Sequence, residues 1–84
     1  MSVVTLTYYA AARAAAGGIT QESFHASTLS DALAQAANQH GADMDKVLNI
    51  SSLLREGTYV DKDTFNSTLT GDVALDVLPP FAGG

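Results

Sequence analysis

This sequence of 84 residues predicts an α+β fold: a mixed five-stranded sheet with one main helix packed on one face. Three observations lead there. The most apolar strand-like segments lie near the two ends of the chain, in Val3–Tyr9 and Val73–Leu78. One long amphipathic helix pattern lies between them, and turn signals divide the remainder into short strands. The two apolar end segments belong at the centre of the sheet, side by side and parallel, with the helix across one face.

The elements follow in order. Val3 to Tyr9 alternates strictly, with Val4, Leu6 and Tyr8 on one face and Thr5, Thr7 and Tyr9 on the other. Its β-branched and aromatic content makes it a half-buried strand with the first face inward. Ala10 to Ala16 reads AAARAAA, the highest helix propensity available, and Gly17-Gly18 stops it. Ile19 to Ala26 is a weakly patterned second strand with Phe24 as its core residue. Thr28 caps the main helix, with Asp31 three residues on. Leu29, Ala32, Leu33, Ala36 and Ala37 form its apolar stripe at helical spacing. Gly41 ends it, and Asp43 caps a further turn carrying Met44, Val47 and Leu48. Ser52–Arg55 and Thr58–Val60 flank Glu56-Gly57, a hairpin turn. Leu69-Thr70-Gly71-Asp72 is another turn before the last strand, where Val73, Leu75 and Val77 face the core and Ala74, Asp76 and Leu78 face outward. This arrangement is the β-grasp, or ubiquitin-like, layout.

Composition bounds the function. A chain of 84 residues makes one small domain, 1–84. Hydrophobic residues are 46% of it, but fourteen of them are alanine. The twenty-five larger ones suffice for one thin core layer between a sheet and a helix. The net charge is −5, and Arg13, Lys46, Arg55 and Lys62 are scattered. No basic patch forms, which excludes nucleic acid and anionic membrane surfaces as partners. An acidic protein suits a partner with a basic docking face. With no cysteine, there is no disulfide framework, thiolate metal site or cysteine nucleophile. No apolar run approaches the roughly 20 residues of a membrane span. No signal peptide is read at Met1-Ser2-Val3-Val4, so the expected location is cytoplasmic.

The chemistry is expected in the C-terminal tail, 79–84. Pro79-Pro80 donates nothing to a sheet and holds the chain extended. Phe81, Ala82, Gly83 and Gly84 can then reach about 13 Å further, at roughly 3.3–3.6 Å per residue. Two glycines leave no side chain near the terminal carboxylate, so the tail can thread a channel that any side chain would block. Ordering it costs entropy that a partner's contacts must offset.

The segment Leu69-Thr70-Gly71-Asp72, the apolar last strand and the ending LPPFAGG resemble the small subunit of molybdopterin synthase (the MoaD family). The opening TYYAAARAAAG is similar to the start of the same family. The likeness covers nearly the whole chain, and is strong at both ends and weak from Gln39 to Ser67. Thiamine-pathway sulfur carriers share the fold and the Gly-Gly but generally lack the Pro-Pro approach. One departure is Arg55-Glu56-Gly57, where the family usually has an Asn-Gly-like pair. The resemblance implies a sulfur carrier with no permanently bound cofactor. An E1-like activating enzyme would use ATP to adenylate the carboxyl group of Gly84. A sulfur donor protein would then displace AMP to leave a thiocarboxylate, and the synthase large subunit would receive the tail for sulfur transfer to precursor pterin. A protein modifier acting through Gly84, a carrier of another sulfur pathway and an inert β-grasp module remain the alternatives.

Tyr9 and Leu78 end parallel neighbouring strands on the outer face, Tyr59 takes an outward position on the fourth strand, and Phe81 follows on the tail. Large apolar residues converging where the tail emerges form a partner-docking patch. Arg13, the one charge in AAARAAA, either meets a partner's carboxylate or solubilises its helix. His25 and His40 have no evident third ligand, so no metal site is expected. Asp61, Asp63, Asp72 and Asp76 read as a solvated acidic surface that can orient the protein on the activating enzyme.

Overall fold

The computed structural model describes residues 1–80. The elements are β1 (Ser2–Tyr8), α1 (Ala10–Ala15), β2 (Gln21–Ala26), α2 (Leu29–His40), α3 (Ala42–Ile50), β3 (Ser52–Arg55), β4 (Thr58–Tyr59), a 3-10 turn at Lys62–Thr64, and β5 (Val73–Leu78). The strands form one five-stranded sheet in the order β2-β1-β5-β3-β4. β1 and β5 run parallel, and the other pairings are antiparallel. The predicted mixed sheet, with its two apolar end strands paired in the interior, is what the chain adopts.

Strand alternation sets the core. Val4, Leu6 and Tyr8 of β1, Val73, Leu75 and Val77 of β5, Leu53 of β3, and Phe24 and Ala26 of β2 are buried on one face. Against them pack Ala12 and Ala16 from the α1 segment, Leu29, Ala32 and Ala36 from α2, and Met44 from α3. Large side chains come mostly from the sheet and small ones from the helices. The alanines let the helices sit close, which suits a chain with few large apolar residues.

Local signals explain the boundaries. The Thr28 hydroxyl accepts from the Asp31 amide at 3.1 Å, so the predicted cap of α2 is present. Leu33 and Ala37 are only half-buried, at the margin of the predicted stripe. The Glu56-Gly57 turn has φ of 50° and 80°, the two-residue type that matches strand twist. It closes β3 on β4 with Arg55 opposite Thr58 and Leu54 opposite Tyr59.

Four expectations are corrected. The short helix α1 and the main helix α2 form as expected, but the single further turn expected after them is a third helix, α3, of nine residues. Asp43 does not cap it: Gly41, at φ 94°, joins α2 to α3 without a side-chain cap, and Asp43 lies inside the first turn. The helix extends because Met44, Val47 and Leu48 at helical spacing bury against the core. β2 starts at Gln21, and Ile19 is 42% exposed, since the Gly17-Gly18 turn delays pairing. β4 ends at Tyr59, one residue short, with Val60 half-buried. β5 ends at Leu78, and of the two prolines that follow, Pro79 is buried and Pro80 exposed. Phe81, Ala82, Gly83 and Gly84 lie outside the described residues.

The long connection before β5 is pinned to the start of α2. Ser30 N donates to Phe65 O at 3.0 Å, and Leu69 N donates to Ser27 O at 2.8 Å. Asp72 accepts from the Val3 amide through Oδ1 at 2.8 Å, and Asp61 from the Asp63 amide at 3.0 Å. These two aspartates are exposed, as expected of a solvated acidic surface, and each also holds a local backbone amide.

Candidate functional site

The outer face of the sheet is built by register. Cross-strand pairing places Gln21, Thr7, Asp76, Leu54 and Tyr59 in one row running across all five strands. Leu78 lies opposite Ser52 on the same face. Leu54 and Leu78 are half-buried, and Tyr59 is 72% exposed. An apolar strip thus spans β5, β3 and β4 beside the point where the chain leaves the sheet at Pro79.

Tyr9 stands one residue beyond β1, at the first position before α1, and keeps extended backbone (φ −122°, ψ 150°). Its ring therefore continues the outer face past the strand end. The contact it makes is with Asp76: its hydroxyl donates to Asp76 Oδ1 at 3.3 Å. Arg13 lies above the same ring, with Cζ 5.9 Å from the centroid, and its Nε donates to Tyr8 O at 3.2 Å. The guanidinium joins the patch through a cation–π contact and a backbone bond. Arg13 is thus fixed against Tyr9, which goes beyond solubilising α1.

The structure therefore brings together Tyr9, Arg13, Leu78 and, across two strands, Tyr59; Phe81 lies outside the described residues. Two residues were missed. Leu54 fills the space between Asp76 and Tyr59, and Asp76 is half-buried within the patch instead of lying on a solvated acidic surface. Leu54 was legible in principle: a two-residue loop at Glu56-Gly57 forces Leu54 opposite Tyr59. The adjacent leucines at 53 and 54 hid the alternation.

A second polar cluster occupies the opposite face. Glu22 takes the inward position at the end of β2, and its Oε1 accepts from the Tyr8 hydroxyl at 2.8 Å. Gln39 Nε2 donates to Oε2 at 2.6 Å, and His40 Nε2 lies 2.6 Å from Oε1. The His40 ring meets Tyr8 edge-on at 6.2 Å. Burial, then the Glu22 hydrogen bond and charge, hold the Tyr8 phenol above the ordinary tyrosine range. The cluster ties the C-terminal end of α2 to the sheet. No group of three or more metal-ligating side chains occurs among the described residues, where His40 is engaged with Glu22.

Neither a protein-family model nor a curated protein matches the sequence. Solved structures do share its fold. The chain is similar to SAMP1 from Haloferax volcanii at TM-score 0.72 and 22% identity, over 99% of this chain and 100% of that one. It is similar to a putative molybdopterin converting factor, subunit 1, from Pyrococcus furiosus at TM-score 0.70 and 18% identity, over 95% and 99%. In a complex of subunits 1 and 2 of the molybdopterin-converting factor from Helicobacter pylori 26695, the matching chain gives TM-score 0.63 and 17% identity, over 98% and 99%. The fold is the ubiquitin-like β-grasp. Among the described residues no helix is long and apolar enough to cross a membrane.

Proposed function

We propose that the chain is a sulfur carrier acting in the cytoplasm as the small subunit of a molybdopterin synthase. The observation that carries this reading is the end of β5. The middle strand of the sheet delivers Pro79 and Pro80 directly beside an apolar outer face bearing Tyr9, Leu54, Tyr59 and Leu78. A partner that covers this face also receives whatever follows Pro80. Likeness to subunit 1 proteins of molybdopterin converting factors, one of them in complex with subunit 2, supports the reading.

In the proposed chemistry the reacting group is the carboxyl of Gly84, an ionised and poor electrophile at neutral pH. An E1-like activating enzyme spends ATP to form the acyl-adenylate. A sulfur donor protein supplies sulfide-level sulfur that attacks the carbonyl carbon with AMP as the leaving group, and the resulting thiocarboxylate is the sulfur nucleophile. Gly83, Ala82 and Phe81 carry it into the large subunit for transfer to precursor pterin. This chain holds no cofactor of its own in the scheme; Tyr9, Arg13, Tyr59, Leu78 and Phe81 dock the partner.

The second reading is a ubiquitin-like protein modifier joined to targets through Gly84, favoured by the likeness to SAMP1. Intact mass from cells separates the two. A species with one oxygen exchanged for sulfur, together with a stable complex with the synthase large subunit, is the expected result. A ladder of reductant-resistant conjugates without the sulfur species would overturn the carrier reading.

A further inference from the structure

When a partner covers the outer face, water leaves it, and one group there opposes that step. Asp76 lies in the middle strand, between Thr7 on β1 and Leu54 on β3. It is already half-buried in the free chain. Its side-chain hydrogen bond comes from a neutral donor, the Tyr9 phenol, at a long 3.3 Å. The nearest cation of the patch, Arg13, is occupied over the Tyr9 ring and on Tyr8 O. Among the described residues the contact present between a carboxylate and a basic side chain is Glu22–His40, on the opposite face. Among the described residues Asp76 therefore has no cationic partner, and it sits beside the apolar strip.

The consequence is selective. A carboxylate stripped of water against hydrocarbon loses solvation that nothing replaces, so a purely apolar partner surface is disfavoured. A guanidinium or ammonium placed opposite restores the lost solvation through charge-assisted hydrogen bonds. The phenol of Tyr9 holds one carboxylate oxygen and leaves the other to a partner. The chain's net charge of −5 has the sign that attracts a cationic partner. We infer that the outer face docks on a protein surface that is apolar around one cationic side chain, and that Asp76, held by the Tyr9 hydroxyl, recognises that cation. This rests on the reading of the outer face as the docking face.

Two measurements test it. The first needs no partner protein: amide chemical shifts of the folded chain are followed during titration with N-acetyl-leucyl-arginine amide and with its neutral citrulline counterpart. The arginine probe should move the amides of Thr7, Tyr9, Leu54 and Asp76 and bind about 5-fold tighter or more than citrulline, with added salt reducing the difference. Asp76→Asn, which keeps the shape and removes the charge, should make the two probes equal. No difference between the probes at those amides, or a preference that survives Asp76→Asn, overturns the inference.

The second uses the synthase large subunit of the same organism. Asp76→Asn should weaken that complex about 30-fold or more and flatten its salt dependence. Unchanged or tighter binding overturns the inference. Failure of the unaltered chain to bind the large subunit sinks the carrier reading instead, and the peptide comparison then decides the role of Asp76 by itself.

Discussion

Tyr8 and Tyr9 are consecutive, chemically identical and placed in opposite worlds. Tyr8 is fully buried beneath the helices, its hydroxyl on the inward carboxylate of Glu22. Tyr9 is half-buried on the outer face, its hydroxyl on the outward carboxylate of Asp76 and its ring under Arg13. Each phenol has one carboxylate partner. What differs is access to water, and with it the work each pair does. The inner pair joins strands to a helix end and contributes to folding. The outer pair sits where stability gains little from it and a partner can reach it. The alternating pleat of a strand makes this division between neighbours.

The comparison breaks most sharply with alanine at each site. Tyr8→Ala should cost about 3–5 kcal/mol of folding stability, because it empties a core position and leaves Glu22 short of a donor. In a domain of this size each kcal/mol moves the melting temperature by roughly 4–8 °C, so calorimetry should show a fall of well over 10 °C or no folded protein. Tyr9→Ala should stay within about 1 kcal/mol of the parent in the same measurement. Equal losses at the two positions would mean that the outer face is part of the stability core.

Leu78→Asp tests the outer face from its apolar side. On binding, a second carboxylate in the strip should cost the complex with the large subunit roughly 2–4 kcal/mol. On folding, the half-exposed position should cost much less. Titration calorimetry and a thermal melt on the same sample read both numbers. Unfolding of the isolated variant would show that the strand register places Leu78 inward.

Glu22→Ala isolates the inner polar cluster. It strands the buried Tyr8 hydroxyl and removes the acceptor of Gln39 and His40, a loss of about 1–3 kcal/mol in denaturant unfolding. A change below 0.5 kcal/mol, on the scale of a surface substitution, would mean that water replaces the carboxylate without penalty.

The inner tyrosine also gives the fold an alkaline limit. Its phenol ionises less readily in the folded chain than in the unfolded one. The stability this represents is fully present below the ordinary tyrosine pKa of about 10 and is lost as pH rises above it. Stability should fall with pH above about 10, and Tyr8→Phe should remove much of that slope at a cost near 1 kcal/mol at neutral pH. An unaltered slope in the phenylalanine variant would assign alkaline unfolding to other groups.

The smallest effect belongs to the hairpin that seats Tyr59. Glu56 occupies a left-handed conformation, φ 50°, where asparagine is favoured. Glu56→Asn should raise stability by about 0.5–1 kcal/mol and leave the outer face unchanged, as read by thermal melting and binding side by side.

Much of this fold was legible from periodicity. The alternation of β1 and β5 assigned inward and outward residues that the structure repeats position by position, and Thr28 announced the helix it caps. Local chemistry decides such features within a few residues, so one sequence suffices. The length of α3 was not legible in that way. Asp43 offered a plausible cap, and only the burial of Met44 under the sheet explains why the helix begins at Ala42 and runs to Ile50.

The functional patch divides along the same line. The chain by itself determined that Tyr9, Tyr59 and Leu78 face outward, because side-chain parity is a property of each strand taken alone. It did not determine what stands between them. That Leu54 bridges Asp76 and Tyr59 depends on the register of β3 against both β4 and β5. That Tyr9 donates to Asp76 depends on pairing the first strand with the last, sixty-seven residues away. Nothing local favours those contacts: they form because closing the sheet buries the apolar inner faces together, and that burial fixes which outward side chains become neighbours.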